Sequence, residues 1–389
     1  MGNPYLSERT KNIPVSGIRV IFDKAQRMKD VVRLEMGDPD FDTPSHIREA
    51  AKRALDEGYT HYTPSAGLTE IREAVAEKLR RDNRIDVGPD EVVMTAGSSS
   101  AINIAIMATI NPGDEVLIPD PAWPLYEVFV KLSGGVVVRY PLLEKNEFKI
   151  DPEDVERRIT RRTKMLIINT PNNPTGSVQT RLELEAIAQI ALENDLLVVS
   201  DEVYEKITHS GAEHLSIGSM PEMRDRTITV NSFSKTYAMT GWRIGYAAAN
   251  REIATEMVKL NIYSTVCVNA VAQRAALAAL RGPQDCVREM VGEYGRRRDY
   301  VVRRLNEMPR ITCVEPKGAF YVFPNISDFG VSSFDFSMNL LDMTRVSTVP
   351  GSSFGERGEG YIRISYATSL KELEKGMGRI EDAIKRKML

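Results

Sequence analysis

A lysine lies inside the small, hydroxyl-rich run Ser232-Phe233-Ser234-Lys235-Thr236, with Asp201 about a strand earlier and Asn173-Pro174-Thr175-Gly176 earlier still. Most lysines are simply exposed. One that acts as a nucleophile must lose its proton near neutral pH, which burial and a nearby cation arrange by lowering its pKa. Arg243, eight residues on, suits that cation or a phosphate clamp. Asp201 closes a Val-Val-Ser strand and begins Asp201-Glu202-Val203-Tyr204. It reads either as a helix N-cap, where Asp is favoured, or as a carboxylate against a pyridine nitrogen, keeping the ring protonated and thus an electron sink. Tyr204 then reaches the ring's phenolic oxygen. Asn173, held between prolines in a run unusually rich in Asn and Pro, presents an amide to that oxygen or belongs to a plain tight turn. An amine, a carboxylate and an amide at the loop starts of a βα pattern are the parts needed to hold pyridoxal phosphate.

Gly97-Ser98-Ser99-Ser100 ends one apolar run and opens a helical one, so its N–H groups point outward at the positive end of a helix dipole. A phosphate site and an ordinary serine cap are equally good readings of it. Neither G-x-x-x-x-G-K-[ST] nor a well-placed G-x-G-x-x-G occurs, so nucleotide signatures are missing. Trp123 is either a core residue or a stacking partner for a planar ring. Arg363, in the apolar run Ile362-Arg363-Ile364-Ser365, needs a partner: a substrate carboxylate gripped bidentately, or an internal salt bridge.

The elements that must position these groups are an alternation of β-rich and helical stretches. Candidate strands lie at 91–95, 115–118, 136–140, 165–169, 196–200, 227–230 and 243–249. Their near-continuous Val/Ile/Leu content implies one large, mostly parallel sheet of seven strands flanked by helices. The last run follows its predecessor by a loop rather than a full helix, as an antiparallel return would. Ligands bind at the carboxyl ends of such strands, and Asn173, Asp201 and Lys235 all follow candidate strands. Amphipathic helices are expected at 44–55 and 68–80, around a punctuated turn, Tyr62-Thr63-Pro64-Ser65-Ala66-Gly67. Beyond residue 250 a charged helix (285–308), β-rich runs (318–323 and 361–365) and a terminal helix (370–387) suggest a smaller α+β domain.

The 389 residues suit two domains. An N-terminal arm at 1–38, broken by Pro4 and Pro14, contributes to the small domain; the large domain spans 39–282 and the small one 283–389. The boundary near Gly282-Pro283 is expected to be a bend in a continuing helix. With 42% hydrophobic and 27% charged residues and a net charge of −3, there is no basic field for nucleic acid. The start lacks an apolar h-region and no run of about 18 apolar residues occurs, so neither secretion nor a membrane is expected, and a cytoplasmic protein is. Three cysteines at long spacings read as buried free thiols. The four histidines lack zinc-ligand spacing, so no metal is expected.

In order and spacing, Asn-Asn-Pro-Thr-Gly, Ser-Asp-Glu-Val-Tyr, Ser-Phe-Ser-Lys, Gly-Trp-Arg-Ile-Gly and Arg-Ile-Ser-Tyr-Ala resemble those of the class I aminotransferases of pyridoxal-phosphate fold type I. The resemblance runs from Gly37 to the C-terminus, and its texture is nearest the prokaryotic and archaeal aspartate and aromatic aminotransferases. It implies transfer of an α-amino group between an L-amino acid, aspartate or aromatic, and a 2-oxo acid such as 2-oxoglutarate, in ping-pong fashion through pyridoxamine phosphate. A C–S β-lyase or another fold-type I enzyme, such as a cyclopropane-forming synthase, is the alternative within the fold. A ligand-sensing module of the type fused to transcription regulators would need an added DNA-binding domain, and none is expected. By the resemblance, Lys235 carries the cofactor covalently and then moves the proton at Cα. Asp201 pairs with the ring nitrogen, and Tyr204 and Asn173 contact the ring oxygen. Ser98, Ser99, Ser232 and Arg243 hold the phosphate, and Trp123 stacks on the ring. Arg363 takes the α-carboxylate beside the Gly37 backbone. Tyr62 reaches the phosphate from a neighbouring subunit, which implies a homodimer with shared sites. Dicarboxylate-specific relatives place an arginine near Leu260 or a lysine near Ser99, and this chain has neither; a pocket of broad specificity, open to aromatic donors, is expected.

Overall fold

The computed structural model describes residues 5–11, 13 and 17–386; Pro4, Pro14 and Lys387 lie outside them. Seven strands form the large sheet: β1 (Val92–Thr95), β2 (Glu115–Asp120), β3 (Val136–Pro141), β4 (Thr163–Asn169), β5 (Leu197–Asp201), β6 (Thr227–Ser232) and β7 (Gly245–Ala248). Their order is β1-β7-β6-β5-β4-β2-β3. β7 runs antiparallel to β1 and β6, and every other pairing is parallel. The short β6-to-β7 connection therefore is the expected antiparallel return.

Period-two alternation splits the apolar strands between two cores. Val116, Ile118, Ile167, Val199 and Ile228 pack on one face with Ile102 and Ile106 of the helix Ser98–Thr109. Leu117, Leu166, Ile168 and Val198 pack on the other with Leu184 and Ile187 of Arg181–Glu193. Thr180 caps that second helix in a reciprocal box with Glu183. β2 is buried along its whole length, whereas the edge strand β3 is half exposed. This is an α/β architecture with helices on both faces.

A further core joins both ends of the chain and takes in Val203, Tyr204 and Ile207 from just after β5. Val32 and Leu34 pack with Met290, Tyr294, Leu305, Phe320, Ile364 and Met377. Val32–Arg33 pairs with Val346–Ser347, and Ile362–Ser365 sits between Val349–Pro350 and Tyr321–Val322. Three expectations are corrected. The helix Ala270–Arg281 stops, and Asp285–Glu307 starts afresh after Gly282-Pro283-Gln284, because proline removes a donor that a continuing helix would use. Arg243 lies outside β7: its φ of 51° is left-handed, so the extended run starts only at Gly245. Of the thiols, all unpaired, only Cys313 is buried, while Cys267 and Cys286 are half-buried on helix-flanking surface. Among the described residues, no helix is long and apolar enough to cross a membrane.

Candidate active site

A cavity of about 290 Å³ opens at the carboxyl ends of the sheet. Gly37, Ser98, Ser99, Trp123, Asn173, Asp201, Tyr204, Ser232, Lys235, Arg243 and Arg363 all line it. Strand ends deliver most of them: Asp201 finishes β5, Ser232 finishes β6, Trp123 follows β2 and Ser98 opens the helix after β1.

Ser232 caps the short helix Phe233–Thr236, its Oγ accepting from the Ser234 N–H at 3.1 Å. That turn aims Lys235 inward, where Nζ donates to the Gly37 carbonyl and stands 5.7 Å from the Phe320 ring. Desolvation lowers the Lys235 pKa to about 8, helped by the Arg363 and Arg243 charges and opposed by Asp38. Asp201 opens no helix, so the N-cap reading does not hold; its Oδ1 accepts from the Val203 N–H at 3.3 Å in a turn. Burial raises its carboxyl to about 6, although Tyr126 donates to Oδ2 at 2.6 Å. A cation beside it would restore the anion.

The serine-cap reading fails too, because Gly97 is the N-cap of Ser98–Thr109 and no side chain satisfies that terminus. Gly97 has φ 81°, and a Cβ there would come within 2.3 Å of the Arg243 guanidinium. Glycine thus lets Arg243, bonded to the Ala96 and Thr240 carbonyls, close over a helix N-terminus. Unfilled N–H groups beside a guanidinium make a cradle for a phosphate.

Arg363 is 2% exposed, yet no carboxylate pairs with it among the described residues. Nη1 donates to Asn173 Oδ1 and Nη2 to the Glu35 carbonyl, each at 2.9 Å, while Nε has no partner. Its guanidinium lies 4.3 Å from the Tyr321 ring centroid and 5.0 Å from that of Phe354. The internal salt bridge is therefore excluded, and a buried charge without a counter-ion is costly unless an anion arrives. Gly37 is a close approach: a Cβ there would meet Tyr321 Oη at 2.3 Å. Tyr204 Oη shares a 2.8 Å hydrogen bond with Tyr321 Oη. Trp123 lines the cavity and packs, partly buried, against both sheet cores, so it sits where a core residue would and also borders the cavity.

Tyr62 is not brought in. It is 84% exposed, beside His61, Cys267 and Asn269 in a different cleft. The sequence reading missed Tyr126, Tyr321, Ser234 and Asn169, whose side chain bonds the Asn173 N–H and the Asp201 carbonyl. Away from the cavity, Glu202, Glu205 and His214 bring ligand-type atoms within 4.8 Å of one another. Lys78 pairs with Glu205, and Asn83 and Ser216 donate to the same carboxylates, so protein donors already fill that cluster.

A helix N-terminus beside a guanidinium, a buried carboxylate, a lysine of lowered pKa and an arginine with no carboxylate partner among the described residues thus line one cavity. Residues 29–380 match the family model of aminotransferase class I and II, and the chain belongs to that family. It is 49% identical to an aspartate aminotransferase of Pyrococcus abyssi, with 99% of each chain covered. It is 47% identical to aromatic-amino-acid aminotransferase 2 of Thermococcus litoralis, again over 99% of each. Among solved structures, the aromatic aminotransferase of Pyrococcus horikoshii superposes with a TM-score of 0.91 at 48% identity, over 95% of this chain and 100% of that one. The chain is an amino-acid transaminase of fold type I, and the β-lyase alternative is set aside. Members of this family use pyridoxal phosphate.

Proposed function

We propose that the chain moves the α-amino group of aspartate and of aromatic amino acids to a 2-oxo acid such as 2-oxoglutarate, with pyridoxal 5′-phosphate held in this cavity. The observation that carries the reading is Arg363, a buried guanidinium without a counter-ion among the described residues, facing the same cavity as a lysine with a lowered pKa. When bound, the cofactor supplies an electron sink that acidifies the Cα–H bond.

The remaining work falls to the protein. Lys235 Nζ would tether the cofactor and, once released by the incoming amine, take the proton from Cα and deliver it to the cofactor carbon on the other side of the transferred nitrogen. Its pKa of about 8 leaves part of it neutral at working pH. Asp201 holds a proton on the ring nitrogen, and Tyr126 fixes that carboxylate. Tyr204 and Asn173 donate to the ring oxygen. The Ser98 and Ser99 N–H groups, Ser232 and Arg243 take the phosphate, and Trp123 covers one ring face. Arg363 and the Gly37 backbone orient the α-carboxylate so that the Cα–H bond faces Lys235. Asn173, bonded to Arg363, links the cofactor and substrate ends of the site.

Tyr62 completes the phosphate site from a second copy, so the working unit is a homodimer; its exposure supports this. The core uniting Val32 with Ile364 supports the division into an arm at 1–38, a large domain at 39–282 and a small one at 283–389. Three unpaired thiols fit a reducing, cytoplasmic setting. The test follows nitrogen: with ¹⁵N-aspartate and 2-oxoglutarate, the label should appear in glutamate, with initial rates giving the parallel double-reciprocal lines of a ping-pong enzyme. Release of the label as ammonia would overturn the proposal.

A further inference from the structure

Among the described residues, the cations that line the cavity are Lys235, Arg243 and Arg363, and each already has a part in the proposed reaction. Nothing among them is left for the second carboxylate of aspartate or 2-oxoglutarate. A fourth cation stands just behind the lining. Arg33 ends the short strand Val32–Arg33, on the face opposite the buried Val32 and Leu34, and its side chain is 31% exposed. Its guanidinium lies 4.9 Å from the ring centroid of Phe22, and Nη2 is 3.9 Å from Met36 Sδ. Phe22, Met36 and Glu35 all line the cavity.

The pairing of Arg33 is one-sided. Nε donates to the Glu35 carboxylate, whose other oxygen accepts from Ser347 Oγ. The Nη1–Nη2 edge, the planar fork suited to a carboxylate, has no oxygen partner among the described residues; the thioether of Met36 and the face of Phe22 cover it. Glu35, 2% exposed, is balanced by Arg33 and Ser347, so it adds little repulsion toward an incoming anion. The Arg363 fork bonds the carbonyl of this same Glu35, which sets the two guanidiniums at the two ends of one residue.

We propose that Arg33 is the specificity-determining residue for acidic substrates, receiving their distal carboxylate on its Nη1–Nη2 edge when Met36 turns aside. Methionine suits such a cover, being unbranched and freely rotating. With an apolar substrate the cover stays closed, and Phe22 and Met36 meet the side chain. One pocket thereby accepts aspartate and aromatic donors without the arginine near position 260 or the lysine near position 99. The inference rests on the transaminase reading and deepens it.

The test compares wild-type holoenzyme with Arg33→Met, Arg33→Lys and Arg19→Met. Arg19 is the control, because it also lies on Phe22, at 5.2 Å, but is paired with Asp23 in solvent. Half-reactions with aspartate or phenylalanine alone separate binding from maximal rate, and calorimetry with succinate and 3-phenylpropionate reads binding without turnover. Arg33→Met should weaken aspartate and succinate by about tenfold or more, at nearly unchanged maximal rate, the part-exposed setting keeping the loss below that of a fully buried pair. Phenylalanine and 3-phenylpropionate should stay within about twofold, as expected for ligands that carry no second charge. Arg33→Lys should recover part of the loss, and Arg19→Met should resemble wild type. Equal losses for both ligand pairs would reduce Arg33 to a support for Phe22 and overturn the proposal. So would unchanged aspartate and succinate binding, or the same pattern in Arg19→Met. Failure of wild type to react with any amino acid would instead sink the transaminase reading.

Discussion

Arg363→Lys preserves charge and removes geometry. In the structure the guanidinium bonds Asn173 Oδ1 and the Glu35 carbonyl at 2.9 Å each, stacks at 4.3 Å on Tyr321 and keeps Nε unpaired. An ammonium carries its three donors on a single nitrogen, so it cannot grip a carboxylate with the two parallel N–H groups of a planar fork. Truncating one side of a buried, hydrogen-bonded charge pair costs about 2–5 kcal/mol. Because lysine keeps the charge, about 2–4 kcal/mol is expected, or about 30- to 900-fold in kcat/KM. The assay compares phenylalanine with phenethylamine, which lacks the carboxylate, as donors to the same enzyme. Wild type should favour phenylalanine strongly, and the variant should lose most of that discrimination while its Tm moves little. A variant that keeps the full discrimination would refute the assignment of Arg363 to the α-carboxylate. One that melts early with its preference intact would mark Arg363 as structural.

Asp201→Asn should bind cofactor yet slow exchange of the α-deuteron of a bound amino acid by about 100-fold or more, as loss of a proton-holding group does; NMR follows the washout, and an unchanged rate would remove Asp201 from the ring nitrogen. Burial depresses Lys235 to about 8, and the neutral amine is the nucleophile, so capture of cofactor by apoenzyme should accelerate as pH rises to about 8 and level off above it. A rate that falls over that interval would contradict the lowered pKa. Mixing Lys235→Ala with Tyr62→Phe subunits should restore activity in hybrid dimers, since one site then has both native residues; verified heterodimers without recovery would confine Tyr62 to its own subunit.

The large sheet is legible in the sequence because its inner strands are buried on both faces and are mostly near-continuous Val/Ile/Leu runs, with Thr227-Ile-Thr-Val230 the most interrupted. Even the reversed β7 shows, through the short connection before it. The strands Val32–Arg33 and Val346–Ser347 do not, since two residues are too few to display a period and their partners lie over 300 positions apart. The helices Gly17–Arg27, Arg251–Thr265 and Ser333–Thr344 likewise fall outside the expected elements, although each has an ordinary helical length. In the site, Lys235, Asp201 and Asn173 announce themselves by residue type at strand ends. Tyr126 looks in sequence like one more apolar helix residue, and only folding brings it 2.6 Å from a carboxylate 75 positions away. The decisive property of Arg363, the lack of an acidic partner among the described residues, depends on every segment packed around it and has no local signature.

Lys235 as both tether and proton carrier is tested most directly by a single half-reaction. Wild-type holoenzyme and Lys235→Ala, each loaded with cofactor and given one amino acid without an acceptor, are followed by absorbance in a stopped-flow instrument. Wild type should pass to the amino form of the cofactor within one turnover and release one equivalent of 2-oxo acid. Lys235→Ala should stay folded, lack the absorbance of the protein-bound imine and release essentially none. Near-normal conversion by the alanine variant would contradict the assignment of the chemistry to this lysine.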